Sequence, residues 1–447
     1  MLSAIGFIMI IVMVALIIWG KVALPPILIL LSTVTVFVLG FTGALGEVMG
    51  PLEILKALKG YVDTGANSVL STVVLFTFAI VYFNVLSDAG MFDVIVGAVM
   101  KRMGNSVTAV LLMTVFMTAI SHLDGSGATT WLITAPTMLP LYKKMRISPV
   151  VLLGIIALWS GVENMLPWTS ALARVSASTG VDPYELWNQL LPLQIVGFII
   201  ILVGCFVLGR ILKARGCGMS DAEFEEIKSG MGKKDDPVLK VSNTVLYIDM
   251  LMTVVMVIMM LLGWVNTSVA FMIFLSLALL LNCREGTKQM TAQIKKHGAT
   301  ALNMVMILFS IGLLVGVMKD TGMMNAMTET LVSLVPESMG GHLSFIIGLV
   351  AVPLSMVVGS DSLYMIMAPI FGNMVMAFGG TMMSAAAATT IGACIAVNLC
   401  LVAPTPYLAL GLCGVEMKDN LKYMFLPTWV LSIIMVIVAG ILGVVPF

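Results

Sequence analysis

Long apolar runs separated by short polar connections dominate the chain. A helix that crosses a bilayer needs about 20 such residues, because unpaired backbone groups cannot face lipid. Ten runs meet this, some only with their flanks: 4–20, 23–41, 69–99, 149–178, 188–211, 244–263, 265–282, 299–318, 384–414 and 423–445. Two further stretches, 105–142 and 341–378, are each split near the middle by Gly-rich polar residues. Arms of about 14 to 18 residues dip in and return more readily than they cross. Both stretches are therefore expected to be re-entrant hairpins, with tips at Asp124 and Asp361. The run from Ile5 to Trp19 has no Lys or Arg before Lys21, so it reads as a retained span. A signal peptide would open on a basic stretch.

Composition closes off the soluble alternative. Of 447 residues, 60% are hydrophobic and 10% charged, against about 25% charged in soluble domains. Lys plus Arg equals Asp plus Glu at 23 each, so no charge excess argues for nucleic acid. Six cysteines form no C-x-x-C pair and three histidines lie far apart, which indicates neither a zinc site nor a disulfide framework.

The charges are unevenly placed. Of the 23 basic residues, 19 fall in connections expected to be cytoplasmic, as the positive-inside rule requires of a multi-pass cell-membrane protein. The exceptions are Lys56, Lys59, Lys319 and the apparently intramembrane Arg174. Lys101 and Arg102 before the first hairpin, and Lys143 to Arg146 after it, put both its ends in the cytoplasm. Loops 320–340 and 377–383 hold no Lys or Arg, so the second hairpin opens outward.

The halves also resemble each other. Ser87-Asp88-Ala89-Gly90-Met91 returns as Lys319-Asp320-Thr321-Gly322-Met323, and Ala135-Pro136 returns as Ala368-Pro369, at spacings of 232 and 233 residues. Five spans per half is an odd number, so the second copy starts from the opposite side. The expected fold is an all-α polytopic membrane protein of two inverted-topology repeats, 1–212 and 244–447, joined by a cytoplasmic linker at 213–243. Such repeats with broken helices point to alternating access around a site at the bilayer midplane.

Candidate chemistry sits where the helices are interrupted. The first tip reads SHLDGSGATT, Ser121 to Thr130. Gly125 and Gly127 let the backbone approach a ligand, and Asp124, Ser126, Thr129 and Thr130 supply oxygens for a hard cation or donors for a carboxylate. The second tip offers Gly359, Ser360 and Asp361. Pro167 breaks the fourth span beside Asn164 and Thr169, and Asn398 with Pro404-Thr405-Pro406 breaks the ninth. Arg174 can grip a carboxylate with two prongs or snorkel to the outer interface. Glu163 and His122 can carry a proton or serve as satisfied polar residues of the bundle. No nucleophile joins His122 and Asp124 in a hydrolase-like pattern, so an enzyme is not expected.

SHLDGSGATTWLITAPTMLPLYKKM (121–145), ENMLPWTSALARVSASTG (163–180) and GSDSLYMIMAP (359–369) resemble the CitMHS family, the citrate–metal:proton symporters of the ion transporter superfamily. The resemblance covers essentially the whole chain. It implies a transport domain moving against a scaffold, usually in a homodimer, and uptake of citrate complexed with Mg2+ or Ca2+ and coupled to protons, with no permanently bound cofactor. Ser126 stands where the family pattern often carries a second acid, which removes one possible cation ligand. A sodium-coupled dicarboxylate carrier remains the alternative. One intramembrane Arg faces several acids, so a free citrate trianion is disfavoured against a cation-accompanied one.

Overall fold

The computed structural model describes residues 1–19, 21–92, 94, 104–123, 125–220, 238–262, 264–401 and 403–447. Asp124, Lys101, Arg102 and most of the charged linker (221–237) lie outside the described residues. Among the described residues the fold is entirely helical.

The element order repeats. Leu2–Trp19, Leu24–Phe41 and the long helix Pro51–Asp88 lead into hairpin arms Val107–Ser121 and Gly127–Lys144. A broken helix follows, Pro149–Glu163 and Ser170–Thr179, and then Pro183–Ala214. The second half runs Asn243–Leu261, Thr267–Asn282 and the long helix Thr287–Asp320, then a hairpin whose first arm is Leu343–Val358 and whose second is the helical run 360–377. It closes with the broken helix Met382–Ala396 and Pro404–Cys413, and with Met417–Ile441. The two interruptions that proline suggested, at 164–169 and 397–403, are both present.

Among the described residues, seven helices are long and apolar enough to cross a membrane. The run expected at 4–20 falls on the helix Leu2–Trp19, while those at 149–178 and 265–282 contain the shorter apolar helices Pro149–Glu163 and Thr267–Asn282. The third span departs most from expectation. It begins at Pro51 rather than near 69, so Lys56 and Lys59 belong to its first turns. Those polar turns are the exposed start of a continuous helix that apolar counting truncates.

Small residues explain how the two long helices meet. A Cβ on Gly65 would stand 2.1 Å from the Gly312 carbonyl oxygen, and one on Gly316 would stand 2.2 Å from that of Tyr61. The backbones touch, which is how helices gain packing in lipid, where no hydrophobic force separates Leu from solvent. The broken helices also cross closely: a Cβ on Gly161 would lie 2.9 Å from Ile395 Cα.

Candidate functional site

Each interruption restarts as a helix, and these new N-termini carry free N–H groups and the positive end of a helix dipole. At the first tip, Gly125 turns the chain with φ +70°, and Ser126 Oγ caps the next helix by accepting from Thr129 N at 3.3 Å. Thr129 Oγ1 also donates to Ser126 Oγ at 3.0 Å. The tip is pressed against the first break, since a Cβ on Gly125 would meet Thr169 Cα at 3.2 Å. Trp168 Nε1 donates to the Leu123 carbonyl at 2.9 Å. His122 is fully buried between Thr130 Oγ1 at 2.7 Å and Asn164 Oδ1 at 3.1 Å.

The second tip is tighter. Gly359 alone turns the chain, at φ 88° and ψ 141°, and Ser360 bonds back to Ser355 at 2.7 Å. A π-helical turn follows at Leu363–Met367, a feature that often marks functional places because it displaces one side chain from the regular ladder. Ser178 Oγ, from the first broken helix, donates to the Tyr364 carbonyl in this turn at 2.6 Å.

All four restarts meet at one cavity of about 540 Å³, within the usual range for small ligands. Gly125 and Gly127 come from the first tip, Gly359, Ser360 and Asp361 from the second. Asn164, Ser170 and Arg174 come from the first broken helix, and Thr405 from the second. Arg174 Nη1 donates to Asp361 Oδ1 at 2.5 Å, with the two side chains 17% and 43% exposed. The Arg174 Nε is buried with no hydrogen-bond partner among the described residues, so the contact with Asp361 is what holds this guanidinium at the cavity. Ile17, Cys400 and Tyr407 add apolar and aromatic wall.

Of the residues singled out in the sequence, Gly125, Gly127, Asn164, Arg174, Gly359, Ser360, Asp361 and Thr405 line the cavity. Ser126, Thr129 and Thr130 shape the first tip; Thr130 Oγ1 donates to the Ser126 carbonyl at 2.8 Å. Thr169 donates to the carbonyls of Asn164 and Leu166 and so ties the first break together. His122 stands one hydrogen bond behind Asn164. Glu163 is buried at the end of its half helix and is not among the lining residues. Asn398 is buried and committed elsewhere: its Oδ1 accepts from Trp131 Nε1 at 3.2 Å and its Nδ2 donates to the Ala157 carbonyl at 3.4 Å. Asp124 lies outside the described residues. Sequence reading missed Ser170, whose signal was its place directly after the predicted break, and Tyr364, which sits inside the GSDSLYMIMAP motif.

Comparisons with known proteins show the family and the fold. The CitMHS family model, described as citrate transporter, matches residues 14–392. A citrate transporter of Bacillus subtilis (strain 168) is 30% identical over 454 residues, covering 100% of both chains. The Mg(2+)/citrate complex secondary transporter of the same organism is 28% identical over 451 residues, covering 100% of this chain and 99% of its own. In fold the chain is similar to the Alcanivorax borkumensis YdaH transporter, at TM-score 0.62 and 12% identity, over 94% of this chain and 98% of that one. Neisseria gonorrhoeae MtrF matches at TM-score 0.67 and 14% identity, over 95% and 96%. An all-helical, multi-pass chain with this family match over most of its length belongs to the CitMHS family of citrate transporters.

Proposed function

We propose that this chain takes up citrate as a complex with a divalent cation, Mg2+ or Ca2+, by proton symport with alternating access. The observation that carries this reading is the single cavity on which four helix restarts and Arg174 converge. Each restart contributes roughly half a positive charge, about two in all, while the Arg174–Asp361 pair is close to neutral as a unit. Citrate brings about three negative charges near neutral pH and about one once it chelates a divalent ion through its carboxylates. Against about two positive charges the trianion and the chelate leave residuals of equal size and opposite sign. The choice of the chelate therefore falls to Asp361, which lines the cavity beside Arg174 and can face the cation. The chelate's metal is cargo and arrives with its own oxygen ligands. The 28% identical Mg(2+)/citrate complex transporter supports the same choice.

In this reading the cavity-lining N–H groups and the Arg174 guanidinium grip carboxylate oxygens, and Asp361 sits within reach of the cation. The two repeats are oppositely oriented, the connection 213–243 is cytoplasmic, and the body carrying both hairpins moves as a unit. The test is citrate uptake into proteoliposomes under imposed proton or sodium gradients, with Mg2+ or Ca2+ and with a chelator. Uptake that needs both the divalent ion and the proton gradient is expected. Citrate uptake indifferent to chelation would overturn the metal complex, and uptake driven only by sodium would replace the proton.

A further inference from the structure

A second large cavity lies away from the citrate site. It is a groove of about 680 Å³ between the half helix Pro149–Glu163, the helix Pro183–Ala214 and the last helix, Met417–Ile441. Its floor is buried apolar surface, including Ile155, Ile201, Cys205 and Leu431, while Val430 and Ile434 form an exposed rim. Among the described residues, none that lines it is acidic.

The two ends of the groove differ. At one end stand Ser148, Arg215 and Tyr423, and Arg215 is the residue that ends the helix Pro183–Ala214. Lys422 Nζ lies 5.1 Å over the Tyr423 ring. The Arg146 carbonyl accepts from Cys217 Sγ at 3.4 Å, so the loop that carries exposed Arg146 abuts the Arg215 turn. Arg215 thus lines this mouth, and Lys422 and Arg146 belong to the segments beside it, at the end of these helices that the basic-residue count assigns to the cytoplasm. From there the lining follows one helix from Ser148 to Leu158. Ten residues of α-helix rise roughly 15 Å, half the roughly 30 Å apolar core of a bilayer. The next residue, Trp159, stacks on Phe198 at 4.3 Å.

The geometry points to a site for one anionic phospholipid of the cytoplasmic leaflet. An acyl chain would lie along the apolar floor, and the phosphate would sit among Arg215, the Tyr423 hydroxyl and the neighbouring Lys422 and Arg146. An aromatic hydroxyl with basic side chains at the interface is the chemistry that holds a lipid headgroup. A second copy of this chain fits the groove poorly, because a symmetric contact would bring these cationic mouths together. Because the groove shares the half helix that ends next to Asn164, the lipid would brace one wall of the transport site.

Gly204 makes the proposal testable. It lines the groove, and a Cβ there would meet nothing within 4 Å, so Gly204→Phe fills the slot without disturbing the core. The experiment is native mass spectrometry of the full-length, detergent-purified protein titrated with dioleoylphosphatidylglycerol or dioleoylphosphatidylcholine. Wild type should retain phosphatidylglycerol in preference to phosphatidylcholine. Arg215→Gln should reduce that preference by about fivefold, the contribution of one basic residue at an anionic membrane surface. Gly204→Phe should reduce retention of both lipids while leaving the melting temperature of the protein within a few degrees of wild type. Equal retention of the two lipids by wild type would overturn the proposal. So would unchanged retention in a Gly204→Phe protein that melts like wild type, or a change in oligomeric state as the only effect of the substitutions.

Discussion

The two hairpins do the same job with different chemistry. The first turns at Gly125 and is tied to the first break through His122 and the Trp168–Leu123 bond, while Trp131 on its second arm reaches Asn398 in the other half. The second turns on one glycine and reaches into the other half, through Asp361 to Arg174 and through Tyr364 to Ser178. A pseudo-symmetric frame thus holds an asymmetric site: the first repeat supplies the cation and the second supplies the acid that restrains it. The repeat places four helix ends around one cavity, and the departures from the repeat give that cavity its ligand chemistry.

The largest effect is expected at the joint between the halves. Arg174→Ala should lower citrate uptake about a hundredfold in proteoliposomes, the scale of losing charge-assisted hydrogen bonds. Asp361→Asn leaves the guanidinium in place and adds net positive charge to the cavity. It should therefore raise uptake of metal-free citrate relative to the Mg2+ complex, measured with and without a chelator. An unchanged metal preference would break the assignment of complementary roles to the two repeats.

The asparagines give a sharper and smaller test. Both were candidate ligands by sequence, yet only Asn164 faces the cavity, while Asn398 is 4% exposed and bonded to Trp131. Asn164→Ala should weaken citrate binding about tenfold, on the scale of one hydrogen bond to a charged group. Asn398→Ala should shift affinity less than about threefold while lowering the melting temperature of the purified protein. Equal effects on affinity would contradict the separation.

The glycines test the turns themselves. Gly359→Ala forces a side chain into backbone space that only glycine occupies easily, and should cost about 1–3 kcal/mol of stability. Gly125→Ala, at φ +70°, should cost about 1–2 kcal/mol from the left-handed backbone. Its Cβ would also press on Thr169 Cα at 3.2 Å, so thermal unfolding should show both variants clearly less stable than wild type. Ser178→Ala removes one buried hydrogen bond between the halves and should be the mildest change, about 1 kcal/mol.

The interruptions were legible because they are local. Glycine at 125, 127 and 359, and proline at 167, 404 and 406, break apolar runs within a few residues of where the helices stop. The start of the third helix at Pro51 was hidden, since Lys56, Lys59 and Asp63 read as a loop when only apolar residues are counted. The pairing of Arg174 with Asp361, 187 residues apart, leaves no trace in periodicity. Neither does the turning of Asn398 away from the cavity, which depends on where Trp131 of the first hairpin comes to rest. Residue type told which groups could bind a ligand, and only tertiary packing sorted those that face the cavity from those that support it.

The most direct test of the central claim is a density map of the full-length protein in lipid nanodiscs with saturating citrate and Mg2+. The account predicts density for the complex enclosed by both glycine turns and both helix breaks, with a carboxylate against Arg174. Ligand density elsewhere, or hairpins that enter from one side of the membrane and leave that cavity empty, would contradict it.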